Sequence, residues 1–466
     1  MKNTLTLFSL LSVLLGQFSA IAQPTNPAKT PADINPRAYG AKGDGATYDT
    51  TALQKAIDAC GGTGGRVLLG PGRYLTAHLT LHGGMTLELA KGAVLLGGTN
   101  ADDYPVQMPT KTAATANCRS LLFADKADGL TIRGEGEIDG QCKFVNMIGK
   151  EADRPSLIRI FSSQGVTVRD ITLRNPRMWT QVYSECSDLL IDHVTVIAPP
   201  DCPNLDGMDI CDSHDVIIRN CDVKSEDDAI CLKSHGKEGL HNILVENNTA
   251  LSYNANGIKL GTATVGPISH LEFRNNCITG AKYGGLCIES VDGGAVSDIR
   301  VTGLDLFRVS QPLFIRLGHR SGNKEVTDLE VADRPTGSID GVFIEGLRAL
   351  GTHNATKASC SITGIPGHNV SNITLKDCYF EMPGGIAQVP AMPEEKEGVY
   401  PQSNIFAETP ASGIFIRHAK GVIFDHVVFG FFAKDIRPWI FQQDAVIKTN
   451  NCSDLGLISP CYIPLP

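Results

Sequence analysis

A short unit returns nine times along this chain: an apolar residue, any residue, a second apolar residue, a polar residue, and then Asp, Asn, Gly or His. It reads Leu130-Thr131-Ile132-Arg133-Gly134, then Val166 to Asp170, Leu189 to His193, Val216 to Asn220 and Ile243 to Asn247. It continues as Leu271 to Asn275, Ile299 to Gly303, Ile373 to Asp377 and Val422 to His426. The second apolar positions lie 36, 23, 27, 27, 28, 28, 74 and 49 residues apart, so the period is almost regular between Val168 and Val301. Each unit alternates apolar and polar over a few positions, which suits short strands with one buried face and lacks the 3.6 period of a helix. Strands recurring at such spacing stack as the coils of a parallel β-helix, an all-β solenoid. The 48 glycines among 466 residues fit the turns such coils need.

The ends and gaps follow from the same reading. Thr50 to Cys60 reads as one helix, with Asp49 or Thr50 as N-cap and Leu53, Ala56, Ile57 and Cys60 on one face, closing the N-terminal end of the solenoid. The long intervals after Val301 and Leu375 read as loops or irregular coils, and Pro383 to Pro410, with five prolines, reads as an excursion outside the central strands. Lys2, the apolar Leu5 to Phe18 and the small-x-small Ala20-Ile21-Ala22 make residues 1–22 a signal peptide, leaving 23–466 as a single domain. With no Cys after the cleavage site, the expected location is secreted or periplasmic.

Composition narrows the function classes. A hydrophobic share of 42% and a charged share of 20% exclude a disordered chain, a collagen or a coiled coil. The formal charge of −9 steers the molecule toward neither nucleic acid nor an anionic membrane, and an anionic polysaccharide would have to be held by local cations. The 14 cysteines are scattered, with no CxxC, and several fall within apolar strand patterns such as Ile230-Cys231-Leu232. They read as mostly reduced, buried small hydrophobes, and metal binding by Cys gets little support.

The densest carboxylate cluster occupies two consecutive coils, Asn204-Leu205-Asp206-Gly207-Met208-Asp209 and Ser225-Glu226-Asp227-Asp228-Ala229-Ile230. Asp206 and Asp227 are 21 residues apart, about one coil, so Asp206, Asp227 and Asp228 meet on one wall of rungs ~4.8 Å apart. Like charges this close raise at least one pKa, which a general acid requires. Asp227 and Asp228 share a site only where the chain bends, because neighbours on a regular strand point to opposite faces. The alternative at this stage is a set of turn-forming Asx residues or a calcium site.

The segment Asn204 to Lys233, with Asn-x-Asp-Gly and then Asp-Asp-Ala-Ile-Cys-Leu-Lys-Ser, resembles the family 28 glycoside hydrolases, the polygalacturonases and related pectin-degrading enzymes. Tyr39 to Gly45 with the Asp49-Thr50 helix start looks like the N-terminal cap of pectin-lyase-like β-helices, and Tyr400 through His418 looks like the last coils of bacterial members. The resemblance implies a right-handed helix, in line with the general preference of parallel crossovers. It implies Asp227 as proton donor, Asp206 and Asp228 as the pair that activates water, inversion of configuration with carboxyls on the order of 6.5 to 9.5 Å apart, and no cofactor or metal. Asn204, Asn256, Lys233 and Lys259 join the expected substrate contacts.

Two departures stand out. Asn256, in Ala255-Asn256-Gly257, replaces the family's His, and Cys287-Ile288-Glu289 replaces its Arg-Ile-Lys, so both cations that hold a galacturonate carboxylate are gone. An anionic sugar beside Glu289 then needs Lys259, Arg316 or Arg320 from another coil, while Glu289 and Asp292 suit hydrogen bonds to neutral hydroxyls. The expectation is therefore an exo-acting or side-sugar-removing pectic hydrolase, a monomer, acting on plant polysaccharide or oligosaccharide. Residues between Val301 and Leu375, Ser321 to Pro335 above all, are the expected block at the cleft end. Trp179 and Tyr183 read as a sugar-stacking platform or as core, Lys233 and His235 as cleft lining or a solvated loop, and Leu317 to Arg320 as a loop at the edge of the wall. Asn369 to Ser371 and Asn372 to Thr374 fit no chemistry. The rivals are a calcium-dependent lyase or epimerase, which uses a Lys, Arg or His base, and a non-catalytic carbohydrate-binding solenoid.

Overall fold

The structure, a computed structural model, describes residues 33–107, 119–143, 153–320, 334–354 and 357–459. The predicted signal peptide at 1–22, and 321–333 of the expected blocking segment, lie outside the described residues.

The repeat builds a parallel β-helix. Its second apolar residues stack rung on rung: Ile132 pairs with Val168, Val168 with Ile191, Ile191 with Ile218, Ile218 with Val245, Val245 with Phe273 and Phe273 with Val301. These side chains form the buried axis of the solenoid. The fifth position has its own physical cause. Gly134, Asp170, His193, Asn220, Asn247, Asn275, Gly303, Asp377 and His426 all have positive φ, between 52° and 119°. The chain must turn there into the left-handed region, which Gly enters freely and Asn and Asp tolerate better than other L residues.

The interval after Val301 is more regular than expected. Ser338–Glu345 is a strand whose Ile344 pairs with Val301 on one side and Leu375 on the other. Val342-Phe343-Ile344-Glu345-Gly346 is a tenth copy of the unit, with Gly346 at φ 70°. The helix Thr50–Cys60 caps the N-terminal end with Leu53, Ala56, Ile57 and Cys60 buried. Asp49 sits at the N-cap, but its carboxylate accepts the amides of Lys42 (2.6 Å) and Gly43 (2.9 Å), tying down the preceding loop and leaving the helix amides to other partners. The twelve cysteines among the described residues are all free, ten of them buried.

A second strand stack, turned toward the site, runs through Gln181–Ser184, Met208–Cys211, Ile230–Ser234, Ile258–Thr264, Gly284–Ser290 and Gln311–Leu317. Its inward row is Tyr183, Ile210, Leu232, Leu260, Ile288 and Ile315 in register. Tyr183 is therefore core, with its hydroxyl on Gln181, and is no sugar platform. The outward row is buried as well.

Candidate active site

The corners that lead into this stack lie one above another. Gly207 N donates to Asp228 O (2.8 Å), Ala229 N to Asn256 O (2.9 Å) and Gly257 N to Gly284 O (2.9 Å). Asp206, Asp228 and Asn256 consequently occupy the same place on three successive coils. Gly207 is required at its corner, because a Cβ there would lie 2.3 Å from Val223 Cγ1 and 2.5 Å from Ala229 O. Asp227 and Asp228 fall between the strands Asp222–Ser225 and Ile230–Ser234, at a bend, which lets neighbouring carboxylates reach one wall. A carboxylate oxygen of Asp206 and one of Asp228 lie within 4.8 Å of each other.

Each carboxylate has a different environment. Burial would raise Asp228, but Lys259 Nζ (3.0 Å) and Asn256 Nδ2 (2.7 Å) hold its carboxyl below the ordinary range, so it stays ionised. Asp227 is half-buried; burial and then the Asp228 charge push it up to about 7. Its Oδ1 accepts the Asp228 amide at 3.0 Å. Asp206 and Asp209 share one cation: Lys233 Nζ is 3.5 Å from Asp206 and 2.5 Å from Asp209. Burial pushes both upward, and Asp206 Oδ1 and Asp209 Oδ2 have no hydrogen-bond partner among the described residues. Burial works against the charge of both lysines, yet the surrounding carboxylates raise them well above the ordinary value and keep them protonated. Lys233 also stands 3.6 Å over the ring of half-buried Trp179, fixing the indole on the coil before Asp206. His235 is pushed down to about 3 by burial and then by Lys233, so its ring is neutral.

A glycosyl hydrolases family 28 model matches residues 76–390, a stretch that holds every one of these groups. The chain belongs to that family. It is a glycoside hydrolase. It is 27% identical over 401 residues to a "Probable polygalacturonase" of Vitis vinifera, covering 80% of this chain and 79% of the relative. The fold matches the Yersinia enterocolitica family 28 exopolygalacturonase at a TM-score of 0.68 and 18% identity, over 93% of this chain and 79% of the other. It also matches a hyperthermoactive exopolygalacturonase from Thermotoga maritima at 0.64 and 21%, over 78% and 89%.

Within this family 28 wall the expected substrate contacts divide. Asn256 is used up inside the wall, since Nδ2 donates to Asp228 while Oδ1 accepts Gly284 N (2.8 Å); it orients Asp228. Asn204 has φ 62° and its Oδ1 accepts from Arg154 at 2.7 Å. Arg316 pairs in register with Glu289 but turns away, donating to the carbonyls of Glu395 (2.6 Å), Lys396 (3.2 Å) and Gly364 (3.1 Å). Arg320 forks onto Asp292 at 3.0 and 2.7 Å, so Asp292 is engaged too. Glu289 is 1% exposed, and its Oε2 has no hydrogen-bond partner among the described residues. Gly261 makes room for it, because a Cβ there would lie 2.9 Å from that oxygen. Asn372 supplies the left-handed step of its rung at φ 56° and donates to Asp340, a structural duty.

Two participants were not singled out from the sequence. Asp209 is legible in the period-2 alternation of Met208–Cys211, where it shares the outward side with Cys211, the rung partner of Lys233. Tyr400 is not, because it arrives from the proline-rich excursion. Lys259 Nζ donates to its hydroxyl at 3.3 Å. That excursion is anchored by Arg316, by His319 N on Glu397 O (2.8 Å) and by Phe406, which packs with Phe314 and Phe415.

Proposed function

We propose that the chain is an inverting hydrolase of pectic polysaccharide of the galacturonan or rhamnogalacturonan type, exo-acting or removing side sugars, with Asp227 as the acid. The observation that carries this is the contrast on adjacent residues: a half-buried carboxyl at about 7 beside one held ionised by a lysine. Asp227 gives its proton to the glycosidic oxygen as the bond to the anomeric carbon breaks. Asp228 takes a proton from the incoming water, and Asp206, on the neighbouring rung, orients that water. Half-buried Trp179, on the coil before Asp206, offers the exposed part of its ring to a sugar.

Neither lysine suits a lyase base, because both are held protonated. Lys233 and Lys259 supply positive charge beside Asp206 and Asp228, which supports a metal-independent reading. Cleavage from a chain end is supported by the excursion that carries Tyr400 across the wall at the Ile258–Thr264 coil. The enzyme acts outside the cytoplasm, the reading that the apolar N-terminal stretch supports.

Product analysis on a panel of pectic oligosaccharides, with and without chelator, tests the reading. Reducing ends that form in chelator with the inverted anomer first, seen by proton NMR, are expected. Ultraviolet-absorbing unsaturated products lost on chelation would make the protein a lyase, and sugar binding without turnover would make it a binder.

A further inference from the structure

The wall that receives the substrate is short of cations. Asp206, Asp209, Asp227, Asp228 and Glu289 stand against Lys233, Lys259 and, at the Asp209 end, the buried Arg159, which lies over the Trp179 ring; both lysines are already committed to Asp206, Asp209 and Asp228. The next cations along the stack are engaged too. Arg316 is on backbone carbonyls, Arg320 is on Asp292, and Arg417 is on Pro393 O (2.8 Å) and Glu395. Lys282, exposed and bound to Asn254 at 3.2 Å, stands outside at the rim near Glu226. Tyr400 closes over Lys259 from the other side.

The position of Glu289 sharpens the point. It lies one coil beyond Lys259 in the same outward-facing row region, in the field of Lys259, Asp228 and Arg320, with one oxygen unpartnered. Burial, partly offset by Lys259, pushes its carboxyl up to about 8, so near neutral pH it is an uncharged hydrogen-bond donor. An anionic sugar placed here would lose its hydration and find only cations already paired, Lys259 with Asp228 and Arg320 with Asp292, and would meet ionised Asp228.

Resting on the hydrolase reading above, we infer that the sugar unit seated against Asp227, Asp228 and Lys259 carries no carboxylate: a neutral hexose, deoxyhexose or pentose unit of a pectic polysaccharide. Glu289 and the committed lysines are the specificity determinants. A galacturonate unit is accommodated only toward the rim.

The test uses matched substrates: galacturonate oligosaccharides, the same oligosaccharides with their carboxyl groups chemically reduced to galactose, and pectic oligosaccharides ending in rhamnose, galactose or arabinose. The full mature chain should cleave at least one neutral series with kcat/KM at least tenfold above that for the galacturonate series. Calorimetry on Asp227→Asn should show the same order of binding. Glu289→Gln, which cannot ionise, should lose any decline in neutral-sugar binding between pH 7 and 9. Galacturonate oligosaccharides cleaved as fast as their reduced counterparts would overturn the inference and leave the hydrolase intact. No turnover of any series, with neutral sugars still bound in preference, would overturn the hydrolase reading and keep the inference. Equal binding of charged and neutral series, or binding of neither, would overturn the inference.

Discussion

Two strand stacks run along the same coils and obey different rules. In the repeat stack, Thr167–Arg169, Ser187–Asp192 and His214–Arg219 bury one face and leave the other half or fully exposed. In the site stack, Met208–Cys211, Ile230–Ser234 and Gly284–Ser290 are buried on both faces. The outward side of the first holds solvated ladders such as Arg219 on Asp192, and that of the second holds Asp209, Lys233, Lys259 and Glu289 out of water. Surface pairs contribute little, and buried charges cost free energy unless each finds its partner. One stack therefore stabilises the molecule, and the other trades stability for carboxyls with separated pKa values.

The largest break in this comparison is Asp227→Asn. It should leave circular dichroism and melting intact while lowering kcat about 10² to 10⁴-fold, the range of a lost general acid, measured by reducing-end release. Next, Lys259→Met strips Asp228 of its counter-charge, and denaturant unfolding should show a loss of about 3–5 kcal/mol. Ile218→Ala in the repeat stack should cost about 2–5 kcal/mol through a cavity, without altering the pH dependence of the residual activity. If Lys259→Met proves neutral, the site stack is not under electrostatic load. The smallest effect belongs to the left-handed step: Asn220→Ala should lose about 1 kcal/mol and Asn220→Gly much less, read from paired thermal melts.

The repeat stack was legible because one physical demand recurs on every coil: apolar inward, a left-handed residue at the turn. Even there, the Val342 to Gly346 copy went unread because it comes 43 residues after Val301 and breaks the period. Asp206, Asp227 and Asp228 were legible because coil length alone stacks them. Less of the outward row could be read. Arg316 looks like a substrate cation until the fold brings the carbonyls of Glu395 and Lys396, some 80 residues on, to its guanidinium. Asn256 looks like a sugar contact until Gly284 and Asp228 take both ends of its amide. Long-range pairing of this kind leaves no local pattern. Tyr400 is the extreme case, since nothing near it in the chain points toward Lys259, 141 residues away.

The central claim is that one wall holds a protonated Asp227 beside an ionised Asp228, and the pH profile of kcat/KM tests it most directly. Asp227 acts only while protonated, so activity should be level below its pKa, halve near pH 7 and fall about tenfold per unit above it. The acid limb should appear only below the ordinary carboxylate range, where Asp228 takes up a proton. In Asp227→Asn the limb near 7 should vanish from whatever activity remains. A wild-type profile that runs flat from pH 6 to 9, or a limb near 7 that persists in Asp227→Asn, would contradict the account.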